Sequence, residues 1–288
     1  MNCLFVYNNL SGGSKEVKYH DYIIKYLNSI YDEVDLFETC KGKDISTVLA
    51  CKKYDDVICA GGDGSISLLI NRLYELGYVC NIGYIPLGTA NDFSRIHNIP
   101  RNVYKALKVI KNRNILEIKL GKANDKVMLY GLALGKISNV SYKANIANKK
   151  LLSKFSYILE GLKELFSLKK QEINLYIDDR KIEYTTPLIL ILASKSLGGF
   201  KVNYGKVNAY DVVILKQGLL NGLLGIISVF LFGYKKTNTL FYDYFNLQEF
   251  SVESKSSSWC LDGEKYESKH IDIKVNEVNI HLIKKLDK

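Results

Sequence analysis

The sequence predicts an α/β N-terminal domain with a parallel sheet, followed by a mainly antiparallel β domain of β-sandwich-like type. Three observations predict it. Short continuous apolar runs alternate with helical patterns up to about residue 115. Beyond that, apolar residues recur at every second position, the period of a half-buried strand. The change falls near residue 120, which divides the chain into domains 1–120 and 121–288, and the last residues can pack back on the first domain.

The elements follow in order. "CLFVY" (3–7) is a continuous apolar run, as expected of a strand covered on both faces. "YHDYIIKYLNSI" (19–30) carries a helical pattern. "DDVICAGG" (55–62) is a second buried strand, and "SISLLINRLYELG" (65–77) a helix stopped by Gly77. "NIGYIPLG" (81–88) is a third strand, ended by Pro86 and Gly88. In the second domain, Leu151, Phe155, Ile158, Leu159, Leu162, Leu165 and Phe166 fall on one helical face. "EINLYIDDRKIEY" (172–184) alternates, turns at Asp178-Asp179 and resumes, which reads as a hairpin. "HIDIKVNEVNIHLI" (270–283) alternates in two runs, Ile271, Ile273, Val275 and then Val278, Ile280, Leu282.

The chain has 288 residues and is 47% hydrophobic, enough for sizeable cores and against disorder. Its net charge of +10 favours anionic partners, although Lys, Asn and Ile usage typical of an AT-rich genome accounts for part of it. The basic residues form no stripe interleaved with aromatics along the sequence, which argues against nucleic acid. Cysteines at 3, 40, 51, 59, 80 and 260 form no C-x-x-C and have no zinc spacing, so they read as reduced thiols of a cytoplasmic protein. "MNCLFVYNN" lacks the pattern of a signal peptide. "GLLNGLLGIISVFLFGY" (218–234) is interrupted by Asn221 and glycines, and reads as buried core or as a segment that dips into a membrane surface.

The turns after the three strands carry the chemistry. "GGDG" (61–64) closes the second strand and opens a helix, where glycines permit close backbone approach and N–H groups face an anion. Asp63 in such a turn would repel a bare phosphate, and makes sense beside Mg²⁺ or ordered water. "NNLSGGSK" (8–15) adds the Ser11 hydroxyl and the Lys15 ammonium. "PLGTANDFSR" (86–95) adds Thr89, Asn91, Asp92 and Arg95. Neither G-x-x-x-x-G-K-[ST] nor G-x-G-x-x-G is complete anywhere.

Taken together, "NNLSG" (8–12), "GGDGS" (61–65), "GTANDFSR" (88–95) and a late "LDGEKYE" (261–267) resemble the diacylglycerol kinase catalytic domain family, bacterial soluble lipid kinases related to sphingosine kinases. The resemblance implies an ATP- and Mg²⁺-dependent kinase acting on a lipid hydroxyl, most readily that of diacylglycerol. It places ATP on Asn8, Asn9, Leu10, Ser11, Gly12, Thr39, Gly61, Gly62, Asp63, Gly64, Ser65, Ile66, Ser67, Thr89, Asn91 and Asp92. Asp63 would organise the Mg²⁺ and its water, Glu264 would be the general base with Asp262 beside it, and Lys15 would steady the transferring phosphate. It implies a lipid substrate at a membrane surface, with peripheral membrane association, and admits a homodimer. The chain departs from the family pattern at Asn9, where proline is usual, and at Leu68, where many members carry Glu. Lys206, Val207 and Asn208 stand where Asp-Asp-Gly helps to hold a structural Mg²⁺, so that second site is expected to be absent, and the stretch reads either as a rebuilt loop with no substituted charge or as one where Lys206 supplies the positive charge. The alternatives are a non-catalytic nucleotide- or lipid-binding relative, and a soluble-metabolite kinase of the NAD kinase type.

Overall fold

The computed structural model describes residues 1–7, 14–39, 43–134, 170–193, 196–197, 200–201, 209–216, 234 and 236–286. Outside this set lie the helix expected at 151–166, Lys206 and its neighbours, and the apolar stretch 218–234 apart from Tyr234. The chain divides into two compact units, Met1–Leu120 with Asn276–Lys288, and Gly121–Val275.

The first unit runs β1 (Asn2–Tyr7), α1 (Ser14–Leu27), β2 (Glu33–Glu38), α2 (Ser46–Cys51), β3 (Asp56–Gly61), α3 (Asp63–Glu75), β4 (Asn81–Pro86), α4 (Asp92–Ile96), α5 (Val103–Asn112) and β5 (Ile115–Ala123), the last running on into the second unit. Its strands lie in the order β2-β1-β3-β4, all parallel. Every residue of β3 is buried, and so are the middle four of β1, which is why their sequences are unbroken apolar runs. Phe5, Ile58 and Ile85 meet Ile23 and Leu27 of α1 and Leu107 and Ile110 of α5 in one core.

α1 ends at Leu27, short of the stretch to 30 that the pattern predicts. The side chains of Asn28 and Ser29 donate to the carbonyls of Ile24 (3.0 Å) and Tyr26 (2.6 Å), so short polar groups compete with the backbone and close the last turn. α3 ends before Gly77, whose φ of +58° and N–H to Tyr74 O (3.0 Å) reverse the chain. At the N-terminal edge of the strands, Asp56 is fully buried and accepts three bonds from Arg113, one from Tyr31 (2.6 Å) and one from Asn81 (2.8 Å). Burial pushes its carboxyl up, but these donors outweigh that and hold it below the ordinary carboxylate value. This edge is fastened by charge, which leaves the opposite edge to the turns.

The second unit contains β6 (Lys126–Met128), β7 (Gly131–Leu134), β8 (Gln171–Ile177), β9 (Arg180–Thr186), β10 (Ile189–Leu192), β11 (Ser196–Leu197), β12 (Phe200–Lys201), β13 (Tyr210–Leu215), β14 (Tyr242–Leu247), β15 (Glu249–Ser254), β16 (Ser258–Leu261), β17 (Glu264–Glu267) and the start of β18 (His270–Ile283). One antiparallel sheet has the order β14-β13-β10-β7-β16-β17. β18, β15, β8 and β9 form the facing layer, also antiparallel. Ile173, Leu175, Val252 and Ile271 of that layer pack with Leu132, Ile191, Val212 and Trp259 of the first sheet, the core of a two-layer β structure. β8 and β9 are the expected hairpin, turning at Asp178-Asp179 with Asp178 at φ 51°.

β18 explains the two alternating runs in its sequence. Ile271 and Ile273 face the core of the second unit, whereas Val278, Ile280 and Leu282 are buried one residue out of phase. The slip falls at Asn276, which has φ 59° and is the residue where the strand passes from the second unit back into the first. There, His281 and Leu282 pair in parallel with Asn81 and Ile82 of β4.

Candidate active site

In the first unit, β1, β3 and β4 are parallel and end at Tyr7, Gly61 and Pro86, so the turns that follow share one edge. Residues Asn8, Asn9, Leu10, Ser11 and Gly12 lie outside the described set, and Lys15 falls in α1 with its side chain outside it. The other two turns are described, and they touch. A Cβ on Gly88 would sit 2.6 Å from the Gly62 Cα, so the two loops meet backbone on backbone, and a side chain at Gly88 has no room. A Cβ on Gly61 would lie 2.5 Å from Ser65 Oγ. Leu87 N–H donates to Gly61 O at 2.9 Å and Tyr84 Oη to the same carbonyl at 3.0 Å, which fixes the end of β3 from beneath.

α3 starts at Asp63 with Gly62 as its N-cap. The Ser65 N–H turns back onto Gly62 O at 3.1 Å. Gly62 has no side chain to cap the two N–H groups before Ser65, so those of Asp63 and Gly64 are the ones placed to meet an anion. Asp63 turns to the neighbouring loop. Its Oδ1 accepts the N–H of Phe93 at 3.0 Å, and the N–H groups of Asn91 and Asp92 also favour its charge. Burial wins over these donors, aided by the charge of Asp92, and pushes the Asp63 carboxyl above its ordinary value. Asp92 is itself buried, as are Asn91 and Ser94. Asn91 sits at φ 51°, donates to Gly88 O at 2.7 Å and has its own carbonyl bonded by Ser94 Oγ at 2.8 Å. Arg95 Nε and Arg101 brace Ala90 O and Thr89 O at 3.2 and 2.9 Å, with Thr89 left exposed.

The remaining candidates in this unit differ in what they offer. Thr39 follows β2, and both its N–H and its hydroxyl bond Tyr7 O, at 2.8 and 3.1 Å. Ser65 and Ser67 are half-buried on the first turns of α3. Ile66 is fully buried in the core, so its side chain faces away from the turn. Gly64 is half-buried within the first turn of α3. Tyr84 is the residue that sequence reasoning passed over. It reads as one more apolar strand position, yet its hydroxyl reaches Gly61 O and lies 3.5 Å from Asn91 Oδ1.

In the second unit, Asp262 and Gly263 form the two-residue turn between β16 and β17, with φ of 50° and 89°. Positive φ at both central residues is the geometry that Asp-Gly favours in hairpins. Asp262 is 2% exposed, and its carboxylate accepts the N–H groups of Leu129 (2.7 Å), Tyr130 (2.8 Å) and Gly131 (3.0 Å). The Tyr130 hydroxyl donates to Asp262 O, and Asp262 N–H to Gly131 O at 2.9 Å. Glu264 begins β17 and is exposed, while the protein beside it removes enough water to push its carboxyl above the ordinary value.

Residues 2–123 match the family described as the diacylglycerol kinase catalytic domain. That segment belongs to the diacylglycerol kinase family. Beyond it, a diacylglycerol kinase of Bacillus subtilis (strain 168) is 28% identical over 271 residues, 90% of this chain and 88% of that protein. A diacylglycerol kinase of Staphylococcus saprophyticus is 31% identical over 202 residues, 68% of this chain and 65% of that protein. A crystal structure of a diacylglycerol kinase from Bacillus anthracis str. Sterne shares the fold, with a TM-score of 0.75 over 99% of this chain and 97% of that one at 18% identity. The diacylglycerol kinase segment thus holds the Gly61–Ser67 and Gly88–Arg95 turns, and Glu264 lies beyond it.

Among the described residues no group of three or more His, Cys, Asp or Glu is placed to hold a metal ion by itself. Asp63 and Asp92 still fit Mg²⁺, which binds through one or two carboxylates and completes its shell with water and substrate phosphates. A carboxyl pushed up by burial and by a neighbouring carboxylate is one that an added cation relieves. No helix among the described residues is long and apolar enough to cross a membrane.

Proposed function

We propose that this chain is an ATP-dependent lipid kinase that phosphorylates the hydroxyl of diacylglycerol. The observation that carries the proposal is the contact of the Gly61–Ser67 and Gly88–Arg95 turns through Gly62, Gly88 and the Asp63 carboxylate, within a segment of the diacylglycerol kinase family. Phosphoryl transfer asks for positioning and charge neutralisation more than for covalent help. The N–H groups of Asp63 and Gly64 at the start of α3 receive phosphate oxygens, and Asn8–Gly12, Thr39 and Thr89 complete the nucleotide site. Lys15 steadies charge on the transferring group. Bound Mg²⁺, organised through Asp63, would neutralise phosphate charge.

Glu264 takes the proton of the lipid hydroxyl as the oxygen attacks the γ-phosphorus. The bond from that phosphorus to the bridging oxygen breaks and ADP leaves. Its raised carboxyl suits a base working near neutral pH better than an ordinary glutamate would. Asp262, bonded by three backbone N–H groups, is a positioning residue that holds the turn from which Glu264 projects. The net charge of +10 supports work at an anionic membrane surface, reached peripherally.

The test is an assay with a panel of lipids and labelled ATP, read by product mass. Phosphatidic acid from diacylglycerol is the expected product, and labelled product from another lipid moves the substrate. ATP binding without turnover on any lipid would favour a non-catalytic relative. Leu68 favours that second reading, being 63% exposed on α3 where many family members carry Glu.

A further inference from the structure

α5 is amphipathic. Val103, Ala106, Leu107, Val109 and Ile110 are buried, and the opposite face presents Tyr104, Lys105, Lys108 and Lys111. An ordinary solvated helix face mixes both signs of charge. This one contains no carboxylate in its ten residues. α1 lies alongside, with Tyr19 and Tyr22 against Tyr104 at ring separations of 6.0 and 5.0 Å. Tyr22 and Tyr104 are 41% and 47% exposed, too much for core residues and enough to present a ring edge with a hydroxyl tip. α1 adds exposed Lys18 and Lys25, and Asp21 is the described carboxylate on its exposed side, bonded to His20. Among the described residues none of these five lysines has a carboxylate partner, whereas Lys52, Lys181, Lys216 and Lys265 all have one. Arg101, just before α5, donates to Thr89 O, so the end of α5 that carries Tyr104 lies beside the Gly88–Arg95 turn.

We propose that this α1–α5 face docks the protein on an anionic bilayer. Phenols half out of the core suit the headgroup layer, where the ring is shielded and the hydroxyl stays wet. Unpaired lysines around them are drawn to anionic headgroups. The choice of a bilayer over nucleic acid rests on the lipid kinase reading, because a kinase of diacylglycerol must reach a substrate that stays in the membrane. The face brings the phosphate-binding edge of the first unit to that surface.

Sedimentation with vesicles of phosphatidylglycerol and phosphatidylcholine tests it. The triple variant Lys105→Gln, Lys108→Gln, Lys111→Gln is expected to bind roughly a hundredfold more weakly than the parent. Lys53→Gln, Lys269→Gln, Lys285→Gln removes the same charge from exposed positions elsewhere and is expected to change binding by only a few-fold. Tyr22→Ser with Tyr104→Ser is expected to weaken binding at high salt, where the lysines are screened. Turnover of short-chain diacylglycerol in neutral detergent micelles should be the same for parent and triple variant. Equal losses from the two lysine triples would overturn the proposal, leaving net charge as the cause. Loss of oligonucleotide binding or of a dimer in the α5 triple, with vesicle binding intact, would also overturn it. No turnover in micelles combined with the α5-specific loss would sink the kinase reading and leave the docking face standing.

Discussion

Glu264 and Asp63 both have carboxyl groups pushed above their ordinary values, yet the consequences differ. Glu264 is exposed and works as a base only when ionised. Turnover should therefore fall as pH falls through its raised value, and Glu264→Gln should lower turnover by about 10²–10⁴-fold and flatten that acid limb while ATP binding persists. A pH series of turnover with a calorimetric ATP titration checks both, and joint loss of binding and rate would make Glu264 structural. Asp63 is held among backbone donors beside Asp92. With its value raised on folding, the folded state binds more protons than the unfolded one between the ordinary and the raised value. Stability is thus lost as pH rises through that window, and the loss remains at neutral pH. Asp63→Asn removes the charge and should melt at or above the parent temperature at neutral pH while turnover disappears. Unchanged turnover would reduce Asp63 to a turn residue.

Elements decide how such residues are held. The turn between β16 and β17 is legible as Asp-Gly, because turn chemistry is local. That the Asp262 carboxylate turns inward onto Leu129, Tyr130 and Gly131 is not legible, since those partners lie more than 130 residues away in the chain. Asp262→Ala strands three buried N–H groups and should cost roughly 3–5 kcal/mol, read from urea unfolding. A loss below about 1 kcal/mol would mean that water replaces the carboxylate. Likewise the glycines after β3 and β4 announce turns, but the 2.6 Å limit that makes Gly88 obligatory exists only once Gly62 is set against it.

At the scale of the molecule, β18 belongs to both units. Val278, Ile280, Leu282 and Ile283 are buried in the first unit, although they follow the whole of the second in the chain. At about 1.5–3 kcal/mol for each buried aliphatic side chain, they contribute more than about 6 kcal/mol, comparable to the net stability of a domain. Ending the chain after Val275 should therefore unfold the first unit, which keeps every glycine turn, while the β signature of the second persists. Circular dichroism and thermal melts of the shortened chain measure this, and a cooperative melt of the first unit would show that β4 tolerates an open edge.

Burial of β1 and β3 on both faces forces continuous apolar runs, and burial of β8 and the start of β18 on one face forces alternation, so the sequence alone determines the two fold types and their order. It also determines which turns follow the parallel strands, because glycine and the short polar residues act within a few positions of themselves. Only the tertiary structure decides which turns touch, that Tyr84 supports Gly61 from inside β4, that Asp262 is an internal acceptor, and that the phase slip at Asn276 is where β18 changes partners. These depend on contacts between residues far apart in the chain, and a hydrogen bond or a steric limit between such residues has no local pattern in the sequence.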